Sequence, residues 1–383
     1  MQFIPYGRQN ISSDDISAVV DTLNSDFLTQ GPAVTNFENA IAEYCGSSFA
    51  FAVANATCAL HLAYLALGVG EGDTVWTSPN TFLSTANAAI MCGAKIDFID
   101  ICSKTYNMDV VKLEEKLLEA KKEGQLPKVV APVHFAGQSC DMKKIHELSK
   151  EYGFSIVEDA AHAVGGKYLD KPIGSCEYSD ITIFSFHPVK IITTAEGGML
   201  TTNSSKLAEK IELLRTHGMT RKPELMTKES EGPWYYQMLD LGYNYRITDL
   251  QCALGLSQLN RLNDLVAKRH EVLEKYKALF ASDSRVTVPF QSDYSYSGLH
   301  LYPIKVDKER RLEIFKHLRK ENVGVNVHYI PVHLQPFYQQ MGFEKGYCPV
   351  AEEYYESAIS LPMYPDLTDE QIEYVVAKVL EVL

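Results

Sequence analysis

The chain has 383 residues, of which 46 % are hydrophobic and 22 % are charged. These proportions are typical of a folded globular protein and exclude an intrinsically disordered one. The 36 basic and 49 acidic residues give a formal net charge of −13, and no basic tract occurs. Neither a nucleic-acid partner nor an anionic membrane surface is therefore expected. No stretch approaches the roughly 20 apolar residues of a membrane-spanning helix.

The eight cysteines form no C-x-x-C pair, and most lie in apolar runs. We expect reduced thiols in the protein core, as is usual for a cytoplasmic protein. The first residues, Met1–Gly7, lack the basic segment followed by an apolar segment that marks a secretory signal. A cytoplasmic location is the resulting expectation.

Short apolar strands alternate with helical patterns between residues 49 and 202. This alternation predicts an α/β fold with a mostly parallel central sheet and helices on both faces. The predicted strands are Phe49–Ala54, Asp73–Thr77, Ile96–Ile99, Val129–Val133, Phe154–Val157 and Ile181–Phe186. The predicted helices between them are Thr57–Leu67, Thr81–Met91 and Met142–Tyr152.

The last third of the chain has a different pattern. A polar, turn-rich loop over residues 215–240 precedes one long predicted helix, Thr248–Phe280. Shorter segments follow and predict a smaller α+β domain: strands Val286–Pro289, His300–Val306 and Val323–Tyr329, and helices Lys308–Asn322 and one starting near Thr368. We predict a large domain over residues 1–250 and a small C-terminal domain over residues 251–383.

Ligands of open α/β sheets bind at the carboxyl ends of the strands, so the residues at those ends are the first candidates. The first strand runs into a turn of small residues, Asn55–Ala59, that opens a helix. Free N–H groups at such a helix start suit a phosphate. The alternative is that Thr57 merely caps the helix.

Two further strand ends carry ionisable side chains. Asp159 ends one strand, where it could face a cofactor or simply cap a following helix. Lys190 follows another buried strand, in a stretch with almost no other charge. Such surroundings lower the pKa of a lysine and make its amine a usable nucleophile. A phosphate site, an acid for a ring nitrogen and this amine together meet the requirements of pyridoxal phosphate.

Six sequence motifs, in order along nearly the whole chain, support this interpretation. With them the chain resembles the fold-type I, pyridoxal-phosphate-dependent nucleotide-sugar aminotransferases of the DegT/DnrJ/EryC/StrS type. The motifs are Leu28–Pro32, Asn55–Leu60, Thr81–Asn87, Glu158–Ala163, Ser185–Lys190 and Gly242–Arg246.

Shorter signatures, including Thr193–Gly198, His300–Ile304 and Val327–Tyr329, are most similar to the branch that serves pseudaminic acid biosynthesis. Members of that branch aminate C4 of a UDP-linked 2-acetamido-2,6-dideoxy-4-ketohexose, with L-glutamate as the donor and 2-oxoglutarate as the product.

The resemblance also implies roles for individual residues. Lys190 would be the catalytic residue, joined covalently to the cofactor, and Asp159 would pair with the ring nitrogen. Asn244 would reach the cofactor phosphate from a neighbouring subunit, which implies a homodimer with shared active sites. The implied cofactor-binding positions are Ala56, Thr57, Phe82, Asp159, His162, Ser185, Lys190 and Asn244. The implied substrate-binding positions are Tyr6, Asp26, Phe27, Leu28, Thr29, Asn326, Val327, His328 and Tyr329.

Several alternatives stay open at this point. The acceptor could be another 4-ketosugar nucleotide, of the bacillosamine, perosamine or 4-amino-arabinose type. A dehydratase on the same scaffold would carry histidine where Lys190 stands, and a noncatalytic sugar-nucleotide sensor would have a decayed site. His162 could be a packed structural histidine. The spacing of His328 and His333 does not place two ligands on one helical face, and we expect no metal.

Overall fold

A computed structural model describes the whole chain, residues 1–383. The helices are α1 (Ser13–Leu23), α2 (Pro32–Cys45), α3 (Ala56–Ala66), α4 (Ser84–Met91), α5 (Val110–Glu123), α6 (Met142–Tyr152), α7 (Ser205–Arg215), α8 (Asp249–Leu259), α9 (Leu262–Phe280), α10 (Arg311–Lys320), α11 (Pro336–Gln339), α12 (Pro349–Ser357) and α13 (Asp369–Val382). None of them combines the length and the apolar character needed to cross a membrane.

The strands form one large sheet and three small ones. They are β1 (Phe49–Val53), β2 (Thr74–Thr77), β3 (Lys95–Phe98), β4 (Val129–Ala131), β5 (Ser155–Asp159), β6 (Lys167–Tyr168), β7 (Lys171–Pro172), β8 (Ile181–Ser185), β9 (Gly198–Thr202), β10 (Met219–Thr220), β11 (Gln237–Met238), β12 (Ser295–Tyr296), β13 (Tyr302–Lys305) and β14 (Ala358–Leu361).

The large sheet has the strand order β1-β9-β8-β5-β4-β2-β3. Its strands are parallel except for β9, which runs antiparallel to both of its neighbours. The expected mostly parallel sheet is therefore confirmed, and β9 is a strand that the alternation pattern had not predicted. Because β9 returns beside β8, the connection between them lies at the carboxyl end of the parallel strands. Lys190 lies in that connection.

Side chains along each strand point alternately to the two faces of this sheet, and both faces are buried. In β1, Phe51 and Val53 belong to one hydrophobic cluster, while Ala50 and Ala52 belong to another. Helix α3 packs on the first face, and α2 packs on the second. Both faces are dry, which explains the nearly continuous apolar sequence of the central strands.

The C-terminal part of the chain has a hydrophobic cluster of its own. Its 23 buried residues come from α9, α10, α13, the antiparallel pair β13–β14 and the segments that connect them, and they include Ile4 from the N-terminal segment. The smaller α+β unit was expected in this region. The division at residue 250 stays a prediction.

Three predicted elements of this region were wrong. The long helix Thr248–Phe280 is interrupted at Arg261, whose backbone leaves the helical region with φ −109° and ψ 4°. The interruption lets the Arg261 guanidinium donate to the buried Asp15 carboxylate at 2.6 Å. Segments Val286–Pro289 and Val323–Tyr329 make only isolated bridges and join no sheet.

Candidate active site

A cavity of about 670 Å³ opens at the carboxyl ends of β1, β5 and β8. It brings together candidate residues from all three thirds of the chain. Those lining it are Tyr6, Ala56, Thr57, Phe82, Asp159, His162, Ser185, Lys190, Asn326, Val327, His328 and Tyr329. The strand ends had indicated Ala56, Thr57, Asp159 and Lys190, the resemblance had added the others, and the fold brings them together in space.

One end of the cavity is formed by the start of helix α3. Asn55 is the N-cap, and its Oδ1 accepts from the Cys58 N–H at 2.9 Å. The alternative role of Thr57 as the cap is therefore wrong, because Thr57 lies in the first helical turn. Its N–H and that of Ala56 have no acceptor within the helix and are available to an anion. The Ser185 hydroxyl lines the same cavity.

Gly198 allows this helix start to lie against strand β9. A Cβ atom at position 198 would be 2.5 Å from the carbonyl carbon of Asn55. Any side chain there would displace the first turn of α3, so the close approach requires glycine. Gly198 thus helps to shape this end of the cavity.

Asp159 ends β5 and is almost fully buried. No helix follows it, so the alternative that it caps one is wrong. The Thr85 hydroxyl donates to Oδ2 at 2.5 Å, and the Ala161 N–H donates to Oδ1 at 3.1 Å. Burial raises the pKa of this carboxyl, while the two hydrogen bonds and the charge of Lys190 act in the opposite direction. The carboxylate is fixed in place and faces the cavity.

Lys190 is half-buried, and its amine lies among buried side chains. Removal from water lowers the pKa of this amine from 10.5 to about 8, against the opposing charge of Asp159. A substantial neutral fraction near neutral pH is the condition for a lysine nucleophile or base.

Three histidines and a tyrosine surround this amine. His162 Nε2 lies 3.0 Å from the Tyr329 hydroxyl, and His328 Nδ1 lies 2.8 Å from the Ser360 hydroxyl. The rings of His162 and His300 are 4.4 Å apart. Burial, reinforced by the charge of Lys190, lowers the pKa of all three histidines, that of His328 to about 3. They are neutral at physiological pH.

The outer part of the cavity is more exposed. The Tyr6 ring lies 5.5 Å from that of His328, and the Phe82 ring lies 6.4 Å from that of Tyr329. Phe82 is 59 % exposed, so its face is free to stack on a planar ligand. Burial raises the pKa of the Tyr6 hydroxyl, which therefore stays protonated and able to donate.

Some candidate residues do not reach this cavity. Asp26, Phe27, Leu28, Thr29 and Asn244 are exposed on the chain surface and are absent from the lining. The sequence had assigned Asn244 to a site in a neighbouring subunit. Its role and those of the four N-terminal residues stay predictions that require a second chain.

Sequence reasoning assigned no individual role to some residues of the site. His300, Glu196 and Asn55 line the cavity, and Thr85 holds Asp159 from behind. His300 occurs in a signature that the resemblance had marked, but nothing gave it a role. It is 110 residues from Lys190 in sequence, so no periodicity or local spacing could connect the two.

The chain is similar to known proteins over its whole length. Residues 9–380 match the model of the DegT/DnrJ/EryC1/StrS aminotransferase family. The spore coat polysaccharide biosynthesis protein SpsC of Bacillus subtilis is 42 % identical, covering 100 % of this chain and 97 % of its own. A UDP-4-amino-4,6-dideoxy-N-acetyl-beta-L-altrosamine transaminase of Campylobacter jejuni is 39 % identical, covering 97 % and 95 %.

Solved structures agree with this relationship. The Helicobacter pylori aminotransferase PseC, involved in pseudaminic acid biosynthesis, has a TM-score of 0.91 at 32 % identity, covering 100 % of this chain and 99 % of its own. The Spr1654 protein of Streptococcus pneumoniae, solved in a PLP form, has a TM-score of 0.89 at 30 % identity and covers 100 % of both chains.

The depressed pKa of Lys190 predicts a pH-dependent effect on stability. Below pH 8 the amine is charged in both the folded and the unfolded chain, so the folded state carries the full cost of burying it. In cofactor-free protein, Lys190→Met should raise the free energy of unfolding by about 2–3 kcal/mol at pH 7. The gain should disappear as the pH rises through 8 to 10.5, because wild type then gains stability.

Urea unfolding of both proteins at several pH values measures this difference. The matched control is Lys167→Met, at an exposed position in β6, which should show no such dependence. A Lys190 gain that stayed constant with pH would contradict a buried, depressed amine.

Proposed function

Because the chain belongs to the DegT/DnrJ/EryC1/StrS family and is a pyridoxal-phosphate-dependent sugar aminotransferase, we propose that it aminates C4 of a UDP-2-acetamido-2,6-dideoxy-4-ketohexose. The acceptor is the beta-L-arabino-hex-4-ulose and the donor is L-glutamate, which leaves as 2-oxoglutarate. The product is UDP-4-amino-4,6-dideoxy-N-acetyl-beta-L-altrosamine, a precursor of pseudaminic acid. The main support is one cavity that combines the Lys190 amine, the Asp159 carboxylate and the start of α3.

The residues of the cavity fit the chemical groups of pyridoxal phosphate. The free N–H groups of Ala56 and Thr57 and the Ser185 hydroxyl suit its phosphate. The buried Asp159 carboxylate suits the protonated ring nitrogen, and the exposed face of Phe82 suits its ring. A buried carboxylate of this kind gains a cationic partner when the ring nitrogen binds it.

The cofactor supplies an electron-withdrawing ring that weakens the bond to the proton on the carbon next to the transferred nitrogen. Lys190 holds and moves that proton, taking it from one carbon and returning it to another. Its pKa of about 8 allows both directions near neutral pH. Asp159 keeps the ring nitrogen charged throughout, because Thr85 and Ala161 hold its oxygens in one orientation.

The names of the relatives support this sugar acceptor but also allow an alternative one. The Campylobacter jejuni transaminase and PseC are both named for this chemistry or pathway, while the relative at 42 % identity is named for a spore coat polysaccharide. Another 4-ketosugar nucleotide, of the bacillosamine, perosamine or 4-amino-arabinose type, is therefore the alternative acceptor. Lys190 itself disfavours a dehydratase. The presence of both Lys190 and Asp159 in the cavity disfavours a noncatalytic sensor, whose site would have lost such residues.

We also propose a homodimer with shared active sites. Asn244 and the segment Asp26–Thr29 lie outside the cavity of their own chain. The loop before Asn244 exposes large apolar side chains, including Trp234 at 70 % and Leu241 at 69 %, as a face covered by another chain would. A cytoplasmic location belongs to the same proposal, and the eight free cysteines accord with it.

Lys190→Ala should abolish amine transfer. Without the amine, neither the covalent attachment of the cofactor nor the proton transfer is available, so turnover should fall by at least about 10³-fold. Borohydride reduction of the wild-type holoenzyme, followed by peptide mass spectrometry, should place the cofactor on Lys190. Lys167→Ala is the matched control. Near-normal turnover of Lys190→Ala, or cofactor trapped on another lysine, would end the proposal.

The sugar acceptor is tested with a panel of substrates. Enzyme and L-glutamate are incubated with UDP-, dTDP- and GDP-linked 4-ketosugars, and the aminated products are identified by mass spectrometry and NMR. We expect the highest kcat/KM with the UDP-linked beta-L-arabino-hex-4-ulose. A higher kcat/KM with another 4-ketosugar would contradict the proposed substrate but leave the assignment as an aminotransferase unchanged.

Shared sites predict complementation between two inactive variants. A hybrid of Lys190→Ala and Asn244→Asp contains one site in which both residues are wild type, if Asn244 acts across the dimer. Random mixing should then restore about a quarter of wild-type activity, because about half of the dimers are hybrid and half of their sites are intact. If Asn244 served its own chain, no mixture would regain activity.

A further inference from the structure

We propose that His300 is a positioning residue for Lys190, whose Nε2 accepts a hydrogen bond from Nζ and holds the amine at the reacting centre between proton transfers. This role deepens the proposed function and depends on Lys190 being the catalytic amine. It assigns to the C-terminal third of the chain a direct part in placing a side chain from the β8–β9 connection.

The contact itself is specific. Nζ of Lys190 lies 3.4 Å from Nε2 of His300, and it is the hydrogen bond found for that amine. His300 is 5 % exposed, so water does not replace it readily as an acceptor. A lysine side chain has many rotamers, and freeing it from the cofactor would otherwise release the amine into the cavity. The histidine limits that freedom.

The turn that carries His300 is rigid. The His300 N–H donates to the carbonyl of Ala136 at 2.9 Å, and the Gly298 N–H donates to that of Gly137 at 2.9 Å. A Cβ at Gly137, where φ is +104°, would lie 2.5 Å from the nitrogen of Leu299. The two backbone segments therefore pack this closely only because residue 137 is glycine, and the backbone of His300 is held in place.

A buried arginine supports the same turn. Arg269 is 1 % exposed, and its Nη1 donates to the carbonyls of Leu299 and Met363 at 3.0 and 2.9 Å. A buried guanidinium is costly to desolvate. Here it fixes the residue immediately before His300.

The His300 ring leaves one buried nitrogen without a hydrogen bond, which is unfavourable for the stability of the fold. A protonated lysine only donates, so Nε2 must accept and the proton of the neutral ring lies on Nδ1. Nδ1 of His300 is buried and has no partner, and the same holds for Nδ1 of the adjacent His162. Unpartnered buried groups cost stability, and an apolar side chain would avoid that cost.

The charges around the pair keep His300 in its accepting form. The charged or titratable groups that act on it or on Lys190 are Asp159, His162, Arg269 and His328; Tyr329 lines the same cavity and contacts His162. Burial and the positive charge of Lys190 lower the pKa of His300 well below its usual value. A neutral acceptor stabilises the ammonium form of Lys190, so its removal should lower the pKa of that amine further.

The test uses holoenzyme loaded with pyridoxamine phosphate, which lacks the aldehyde that joins Lys190 and so leaves the amine free. The rate at which acetic anhydride modifies Lys190 is followed against pH by peptide mass spectrometry. His300→Phe keeps a ring but removes the acceptor, and its midpoint should lie about one pH unit below that of wild type. His300→Gln keeps an acceptor and should restore the wild-type midpoint.

Steady-state kinetics give the second measurement. For His300→Phe we expect kcat to fall about 10- to 100-fold with little change in the KM for the sugar, because the amine is misplaced and not removed. His146→Phe is the matched control, since this half-buried histidine of α6 does not line the cavity. His300→Asn, with too short a side chain to reach Nζ, replaces the Phe variant if that protein does not fold.

One combined result would overturn this role. It is a wild-type labelling midpoint together with a wild-type kcat in His300→Phe, or in His300→Asn where that variant replaces it. Borohydride trapping of the cofactor on Lys190 in the same preparations separates this failure from a failure of the proposed function. If trapping on Lys190 persists while the midpoint and kcat do not move, only the role of His300 is wrong.

Discussion

A lysine amine and a carboxylate line one cavity, and the remaining features of the site serve to keep them there. Burial lowers the pKa of Lys190 and raises that of Asp159, so each group is less stable in its charged form than it would be in water. Their mutual attraction offsets part of this cost. Such a pair persists only where the surrounding chain fixes it.

The strand arrangement provides that fixing. Asp159 and Ser185 end two neighbouring parallel strands, and their ends meet at one edge of the sheet. Strand β9 turns back beside β8, so the connection that carries Lys190, residues 186–197, lies at the same edge. Gly198, at the start of β9, brings that strand against the first turn of α3. The amine, the carboxylate and the free N–H groups of the helix start thereby come from three different elements.

The rest of the cavity comes from residues distant in sequence. Tyr6 comes from the N-terminal segment, and His300, His328 and Tyr329 come from the C-terminal third. They surround Lys190 with neutral groups that do not compete with it for a proton at physiological pH, and the two histidines among them are buried. A chemistry that moves protons repeatedly through one amine benefits from such surroundings, because no neighbour titrates in the same range. The predicted substrate positions Asp26–Thr29 lie outside this cavity, and the proposed homodimer would supply them from a second subunit.

The alternation of strands and helices, the candidate residues Asp159 and Lys190, and the family of these motifs could all be predicted from the sequence. Those features depend on local patterns of apolar side chains and turn residues, which a single chain displays directly. The antiparallel direction of β9, the capping of α3 by Asn55 and not Thr57, and the break of helix Thr248–Phe280 at Arg261 became known from the folded chain. The contact of His300 with Lys190 also became known only from the fold, since contacts between segments 110 residues apart depend on packing across the whole chain and leave no periodic trace in the sequence.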